Sequence, residues 1–188
     1  SSDVCSSDLA GGATIAVFGQ GPVGLSGTML AKAMGMNVIG IDVSDERLAL
    51  AKTCGAATTI NSAKSNPVDA IKTLTHGRGA DYVLETSGNP NARVAGVQST
   101  KTFGALCFVG EGGSVTLDVS NDIIRRQITM DGSWTFSKNG QDDCARFIVE
   151  HKVPVEKLIT HRFKLEEAVT AYQQFDKQQM GKGMIIPA

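Results

Sequence analysis

The sequence predicts a soluble α/β fold built on a doubly wound parallel sheet of six strands. The first observation behind this prediction is that short apolar runs alternate with helical segments from Ala13 onward. That rhythm is typical of a parallel sheet covered by helices on both faces. The second is the composition, because 21 glycines against five prolines, with 5 % aromatic residues, favour tight strand-to-helix turns over an all-β sandwich.

Each strand is predicted where a short, mostly apolar run is bounded by turn residues. The six runs lie at 14–18, 37–42, 58–60, 82–86, 105–109 and 128–134. Helices are predicted between them, at 22–34, 45–54, 68–74, 92–99 and 123–127. Ser44 is suited to cap the second helix, and Asp45 and Glu46 then lie in its first turn, where negative charge is favourable.

The residues after 136 follow a different pattern. Four residues at helical spacing mark an amphipathic helix, namely Cys144, Phe147, Ile148 and His151. A strand at 158–163, a second amphipathic helix and a short apolar run at 184–186 follow. Because a sheet already covered on both faces cannot easily bury two more helices, residues 137–188 are predicted to belong to another domain.

Charge and hydropathy argue against several classes of partner. Lysine and arginine total 18 against 19 aspartate and glutamate, a net charge of −1 with the three histidines neutral. Because the positive and negative charges are nearly equal in number, we do not expect nucleic acid or an anionic membrane surface as a partner. No apolar run approaches the ~20 residues that a membrane-spanning helix needs. We therefore predict that the protein binds neither nucleic acid nor a membrane.

The cysteines are spaced as isolated thiols. Cys5, Cys54, Cys107 and Cys144 form no C-x-x-C pair, and no histidine lies close enough to complete a zinc-type spacing. We expect buried free thiols and, with them, a reducing cytoplasmic location.

The first nine residues, SSDVCSSDL, carry neither hydrophobic periodicity nor the features of a signal peptide. The stretch 3–9 looks like the translation of a sequencing-adapter oligonucleotide joined in frame to a truncated gene. We therefore expect a non-native leader at 1–9 and a natural N-terminal part that is missing.

One motif carries chemistry, the G-x-G-x-x-G of Gly19, Gly21 and Gly24, which follows a predicted strand and opens a predicted helix. In that context it indicates a pyrophosphate-binding turn, with a purely structural glycine turn as the alternative. Asp42 ends the second strand 18 residues after Gly24, where a dinucleotide fold places its ribose-binding carboxylate. A carboxylate there repels a 2′-phosphate, so NAD is favoured over NADP. Arg47 lies either along the adenosine or in solvent.

The chain from 13 to 187 resembles the cofactor half and C-terminus of a zinc-dependent medium-chain alcohol dehydrogenase, nearest the polyol, sorbitol and threonine dehydrogenase branch. The motifs that carry this resemblance are VFGQGPVGL (17–25), IGIDVSDERLALAKTCGA (39–56), GRGADYVLETSGN (77–89), GALCFVGEGG (104–113) and ITMDGSW (128–134). The resemblance implies a Rossmann domain at 10–136, and at 137–188 part of an incomplete GroES-like catalytic domain.

The resemblance also implies a set of site residues. The pyrophosphate turn would comprise Gly19, Gly21, Pro22, Val23 and Gly24, and Asp42 with Arg47 would hold the adenosine ribose. Thr86 would lie beside the cofactor, and Val109 and Gly110 would meet its nicotinamide side. Thr86 and Val109 are equally compatible with ordinary strand ends, and Glu85 is expected to be structural.

The chain departs from the family's pattern at the metal. The family's zinc ligands and its four-cysteine lobe precede the dinucleotide domain, so we expect no zinc ligand and no catalytic residue in this chain. His76, His151 and His161 are predicted to be surface or loop residues. Some members close the cofactor site with a C-terminal arginine, and this chain has none near Lys182.

The resemblance implies hydride transfer between an alcohol or polyol and NAD, in a homodimer or homotetramer formed through the edge of the sixth strand. Zinc is implied for the full-length enzyme, and the fragment alone is expected to be inactive. Two alternatives remain open: a zinc-free quinone oxidoreductase or enoyl reductase, which Asp42 disfavours, and a non-catalytic NAD-binding module.

Overall fold

The computed structural model describes residues 11–177 and 181–187 and contains a six-stranded sheet in the order β3-β2-β1-β4-β5-β6. Every neighbouring pair of these strands is parallel. The strands are β1 (Thr14–Phe18), β2 (Asn37–Asp42), β3 (Thr58–Asn61), β4 (Ala80–Glu85), β5 (Thr100–Phe108) and β6 (Thr129–Gly132). The predicted doubly wound parallel sheet of six strands is confirmed, and the strand order is that of a Rossmann fold.

Four helices connect the first five strands: α1 (Pro22–Ala33), α2 (Asp45–Thr53), α3 (Pro67–Leu74) and α4 (Pro90–Ser99). Side chains satisfy backbone N–H groups at the start of three of them. Ser44 accepts from the Arg47 N–H as predicted, and Asn66 and Asn89 cap α3 and α4. Proline occupies the first residue of α1, α3 and α4, where its missing N–H costs no helical hydrogen bond.

Two apolar cores lie on opposite faces of the sheet, because successive strand residues point to opposite sides. Ile15 and Val17 of β1 belong to the core that packs against α1, and Ala16 and Phe18 belong to the other. Each fully buried large side chain contributes about 1.5–3 kcal/mol. The sheet is therefore covered on both sides, and its carboxyl ends remain open to ligands.

The C-terminal elements are α5 (Lys138–Glu150), β7 (Ile159–Lys164), α6 (Ala168–Asp176) and β8 (Lys182–Ile186), and β7 pairs with β8 in a parallel two-stranded sheet. No residue of α5 is buried, and Ala171 alone is buried in α6. Phe147 and Ile148 of α5 pack, half-buried, against the core beside α1. The assignment of residues 137–188 to a second domain stays a prediction.

Three sequence expectations differ from the structure. β5 begins at Thr100, not 105, because its first part pairs irregularly with β4 and has no apolar pattern to predict it. The helix predicted at 123–127 is a π-helical turn at Val119–Ile123 followed by a 3₁₀ turn at Ile124–Arg126. Cys144 is exposed, not buried, because α5 has only partial cover.

The predicted leader at 1–9, with Cys5, lies outside the described residues. Within 11–177 and 181–187, no helix combines the length and apolar character that crossing a bilayer requires.

Candidate dinucleotide site

A cavity of about 690 Å³ opens at the carboxyl ends of β1, β2 and β4. The strand order reverses between β1 and β4, and in open α/β sheets this reversal is where ligands bind. Six of the ten predicted site residues line the cavity: Gly19, Gly21, Pro22, Asp42, Arg47 and Thr86. The other four, Val23, Gly24, Val109 and Gly110, do not line it.

The glycine turn between β1 and α1 combines a tight bend with an open face. Gly19 has a φ of +84° and donates its N–H to the Ile41 carbonyl at 2.8 Å. A Cβ on Gly24 would lie 1.7 Å from the Gly19 carbonyl oxygen, so only glycine fits there. A Cβ on Gly21 would meet nothing within 4 Å, and Gly21 lines the cavity. The turn therefore leaves room for a ligand directly at its backbone.

The N-terminus of α1 suits an anion. Gly21 is its N-cap residue, and no side chain caps the helix. The first N–H groups of a helix lack intrahelical partners and carry a partial positive charge. With the space at Gly21, this end of α1 has the shape and the polarity that a pyrophosphate requires.

Asp42 at the end of β2 is almost completely buried and is held by backbone groups on both sides. Its Oδ2 accepts the Gln20 N–H at 2.6 Å, and its Oδ1 accepts the Ser44 N–H at 2.9 Å. Arg47 Nη1 lies 3.6 Å from Oδ2, and the Arg47 side chain is 18 % exposed. The Arg47 side chain thus lies at the cavity wall and is not fully solvated. Its contact with the cofactor stays a prediction.

Gln20 is a residue that the sequence analysis missed. Its side chain is fully buried, donates from Nε2 to the Val17 carbonyl at 2.9 Å, and accepts from the Thr28 hydroxyl at 3.1 Å. It lies over Gly40, where an added Cβ would come within 3.4 Å of its amide group. A polar residue between two glycines is typical of an exposed turn, so the sequence contained no signal for this buried role.

Thr86 links the end of β4 to the glycine turn. Its hydroxyl lies 2.9 Å from both the Phe18 and the Gly19 carbonyl oxygens. Its backbone N–H also donates to Phe18 at 2.9 Å. Thr86 therefore holds the two strand ends on either side of the strand-order reversal together, and its predicted contact with a cofactor is not tested.

Val109 and Gly110 follow β5 and pack against the loop that follows β4. Both of their N–H groups donate to the Glu85 carbonyl, at 2.8 and 3.0 Å. The Glu85 side chain is fully buried and accepts N–H bonds from Ser87 and Gly88, which agrees with its predicted structural role. Arg93, which the sequence analysis did not single out, donates to the Gly110 carbonyl at 2.7 Å.

The cavity has a further wall that the sequence did not predict. Phe175 and Asp176, at the end of α6, line it together with the residues at the strand ends. Lys182, at the position where some family members were expected to carry an arginine, is exposed. The C-terminal segment therefore reaches the candidate site through α6.

The described residues contain no group of three or more His, Cys, Asp or Glu side chains arranged to hold a metal ion. His76, His151 and His161 are all exposed, in agreement with their predicted surface positions. The residues present in 11–177 and 181–187 therefore do not fit a zinc site.

Comparison with known proteins gives a family. Residues 22–150 match the model of the zinc-binding dehydrogenase family. An uncharacterized zinc-type alcohol dehydrogenase-like protein of Escherichia coli (strain K12) is 38 % identical over 95 % of this chain and 51 % of its own length. L-threonine 3-dehydrogenase of Bacillus velezensis is 36 % identical over 97 % of this chain and 53 % of its own.

Two further proteins extend the comparison. Sorbitol dehydrogenase 1 of Saccharomyces cerevisiae is 36 % identical over 90 % of this chain and 50 % of its own length. The crystal structure of an alcohol dehydrogenase from Thermotoga maritima superposes with a TM-score of 0.89 at 29 % identity, covering 98 % of this chain and 53 % of that one.

The chain spans about half the length of the curated relatives that it matches. Their names confirm the predicted resemblance to zinc-type alcohol, sorbitol and threonine dehydrogenases, and they do not favour the zinc-free reductase or the non-catalytic module. This chain belongs to the zinc-binding dehydrogenase family.

Proposed function

We propose that this chain is the NAD-binding portion of an oxidoreductase that transfers a hydride between an alcohol or polyol and NAD. The observation that carries the proposal is the position of Asp42 at the rim of a cavity whose floor is the open face of Gly21. One cavity thus combines a turn suited to a pyrophosphate with a carboxylate suited to the ribose that adjoins it in adenosine diphosphate.

The adenosine half of the cofactor would lie over β1 and β2. Each oxygen of Asp42 accepts one backbone N–H, and a carboxylate oxygen can accept further hydrogen bonds from ribose hydroxyls. The same charge would repel a 2′-phosphate by roughly 1 kcal/mol at ~4 Å in water, and by more in a partly buried site. Arg47 is already paired with Asp42, which supports NAD over NADP.

The reaction also needs an alcohol substrate and the zinc that the family description names. When bound, zinc acts as a Lewis acid on the alcohol oxygen. Since no described residue cluster fits a metal, we propose that its ligands lie outside residues 11–177 and 181–187. The residues of this chain would bind the cofactor and orient it for hydride transfer.

We further propose a homodimer or homotetramer formed through the edge of β6 and a cytoplasmic location. Large apolar side chains are exposed beside β6, among them Met130, Trp134 and Phe136. Cys54 and Cys144 are free thiols, which is usual in a reducing compartment.

The experiment that tests the cofactor assignment measures the dissociation constants of NAD and NADP for the chain and its variants by titration calorimetry. We expect Asp42→Ala to weaken NAD binding about tenfold or more relative to NADP, because hydrogen bonds to a charged group contribute about 1.5–3 kcal/mol. Asp42→Asn removes the charge at nearly constant size, and we expect the same loss of preference.

The matched control is Asp45→Ala, which removes a carboxylate three residues further along the chain that does not line the cavity. We expect it to leave the ratio of the two dissociation constants unchanged. Equal weakening of NAD and NADP by both Asp42 variants would contradict the ribose role.

A further inference from the structure

A buried ion pair joins three segments in the second half of the sheet. Arg93 on α4 has 12 % of its side chain exposed, and its Nε lies 3.7 Å from the Oε2 of Glu85, which is fully buried at the end of β4. Its Nη2 donates to the Gly110 carbonyl at 2.7 Å. The guanidinium also lies 5.9 Å from the ring centre of Phe108. One side chain therefore contacts the ends of both β4 and β5.

The two loops that Arg93 connects pack backbone against backbone. Glu85 Oε1 accepts the N–H groups of Ser87 at 2.8 Å and Gly88 at 3.2 Å, which fixes the loop after β4. A Cβ on Gly110 would lie 2.2 Å from the Gly88 nitrogen, so no side chain separates the loops. The backbone at 109–110 is thus held against β4 by its own N–H bonds to the Glu85 carbonyl and, on its carbonyl side, by Arg93, which pairs with the Glu85 side chain.

The location of this pair indicates which part of the cofactor it affects. The strand order reverses between β1 and β4, and each half of such a sheet binds one nucleoside of a dinucleotide. Asp42 assigns the adenosine to the β1–β3 half. The second nucleoside, which carries the nicotinamide, would then lie over the ends of β4 and β5, beside the loops that Arg93 holds.

We propose that Arg93 is a positioning residue that orients the 109–111 backbone for the nicotinamide ring of the cofactor. This inference rests on the proposed function. Arginine suits the role because its planar guanidinium can face the Glu85 carboxylate and donate a hydrogen bond to the Gly110 carbonyl at once, whereas the single ammonium of lysine cannot match that geometry. The Arg93 side chain pairs with Glu85 and Gly110, on the other side of the strand-order reversal from Gly21 and Asp42. We therefore expect its loss to leave the binding of the adenosine half unaffected.

The experiment compares the binding of NAD with that of ADP-ribose, which lacks only the nicotinamide. The variants are Arg93→Lys and the double variant Glu85→Gln with Arg93→Met, which avoids leaving a buried carboxylate unpaired. We expect the double variant to weaken NAD binding about tenfold while ADP-ribose binding stays within about twofold, with Arg93→Lys between the double variant and the parent chain.

Arg78→Met is the matched control, since Arg78 is exposed and lies outside the cavity, and we expect it to change neither constant. Equal weakening of NAD and ADP-ribose would show a merely structural role for Arg93 and overturn the inference. Unchanged NAD binding in a folded double variant would overturn it as well. If the parent chain bound neither ligand, the proposed function itself would fail, and that outcome is distinct from the other two.

Discussion

Gly21 and Gly24 lie three residues apart in the same motif, and their surroundings differ. At Gly24 the space for a side chain is filled by the carbonyl of Gly19, and at Gly21 it is open to the cavity. The motif therefore combines one glycine that packing requires and one whose open face we propose as a ligand surface. Substituting each with alanine should separate stability from binding.

We expect Gly24→Ala to lower the free energy of unfolding by about 1–3 kcal/mol, because the new methyl group forces α1 away from the turn. Gly21→Ala should cost about 0.5–1 kcal/mol, because alanine is a poorer N-cap residue than glycine, and its main effect should be weaker NAD binding. Urea denaturation and calorimetric titration of both variants provide the measurement. A Gly21→Ala chain with normal NAD affinity would show that the open face is not a ligand surface.

At the scale of single residues, the sequence predicted best where a local rule applies. The glycines and Asp42 follow a fixed spacing after a strand, so their positions could be predicted without the fold. Gln20 and Arg93 could not, because their partners lie on segments that only the tertiary structure brings together. Gln20 is buried over Gly40 of β2, and Arg93 donates to a carbonyl 17 residues away.

At the scale of elements, the start of β4 is tied to its neighbours by Asp81. Its Oδ2 accepts the Thr14 N–H at 2.7 Å, and its Oδ1 pairs with Lys101 of β5. Burial by itself would raise the pKa of Asp81, but the hydrogen bonds from Lys101 and Thr14 outweigh it and hold that pKa below its ordinary value. Asp81 therefore connects β1, β4 and β5 at the amino ends of the strands, which is the end of the sheet opposite the candidate site.

This shift predicts an acid dependence of stability. Because the folded pKa of Asp81 is lowered, its contribution is fully present above the ordinary aspartate pKa, near 4, and is lost as the pH falls through the folded value. We expect Asp81→Asn to be less stable than the parent chain at pH 7 and to show a smaller loss between pH 5 and pH 2. Urea denaturation across that range tests this.

The control for the acid dependence is Glu150→Gln, which removes an exposed carboxylate on α5. It should leave the pH profile of unfolding close to that of the parent chain. If the stability of Asp81→Asn depended on pH in the same way as that of Glu150→Gln, Asp81 would not hold the amino ends of the strands together in the way described.

The elements themselves were predicted to different accuracy, for a physical reason. β1, β2 and α3 are buried on at least one face, and their apolar patterns give their bounds to within a residue or two. The beginning of β5 is partly exposed, and Phe103 there adopts a φ of +61°, which no hydrophobic period signals. An irregular pairing depends on the neighbouring strand, so it could not be predicted from one segment.

At the scale of the whole molecule, apolar side chains are buried much more completely around the six-stranded sheet than in the C-terminal helices. The sheet and its four helices enclose two cores, whereas α5 and α6 expose large apolar side chains, including Val149, Val169 and Tyr172. The sequence predicted that a sheet already covered on both faces could not easily bury two more helices, but it did not predict that Cys144 would be exposed. It could not predict that the end of α6 would line the cavity.

This difference in burial predicts that the cysteines react with thiol reagents at different rates. Cys144 on α5 is exposed, whereas Cys54 and Cys107 are buried, and burial raises the pKa of the Cys54 thiol. Since the thiolate is the reactive form, we expect a maleimide at pH 7.5 to label Cys144 at least tenfold faster than Cys54 or Cys107. Peptide mapping by mass spectrometry after timed labelling measures the three rates.

Labelling in 8 M urea is the control, and there the three cysteines should react at similar rates. Fast labelling of Cys54 in the native chain would contradict the buried position that the structure gives it beside α2. Slow labelling of Cys144 would mean that another surface covers α5 in solution.

Asp42 has a consequence for redesign of the cofactor preference. It accepts the N–H groups of Gln20 and Ser44, so the residue proposed to select the cofactor also supports the backbone of the glycine turn. Asparagine has one acceptor oxygen to replace two, and alanine has none. Inverting the preference should therefore require segments 19–21 and 42–44 to be rebuilt together, and a lineage that changed cofactor would change both segments in concert.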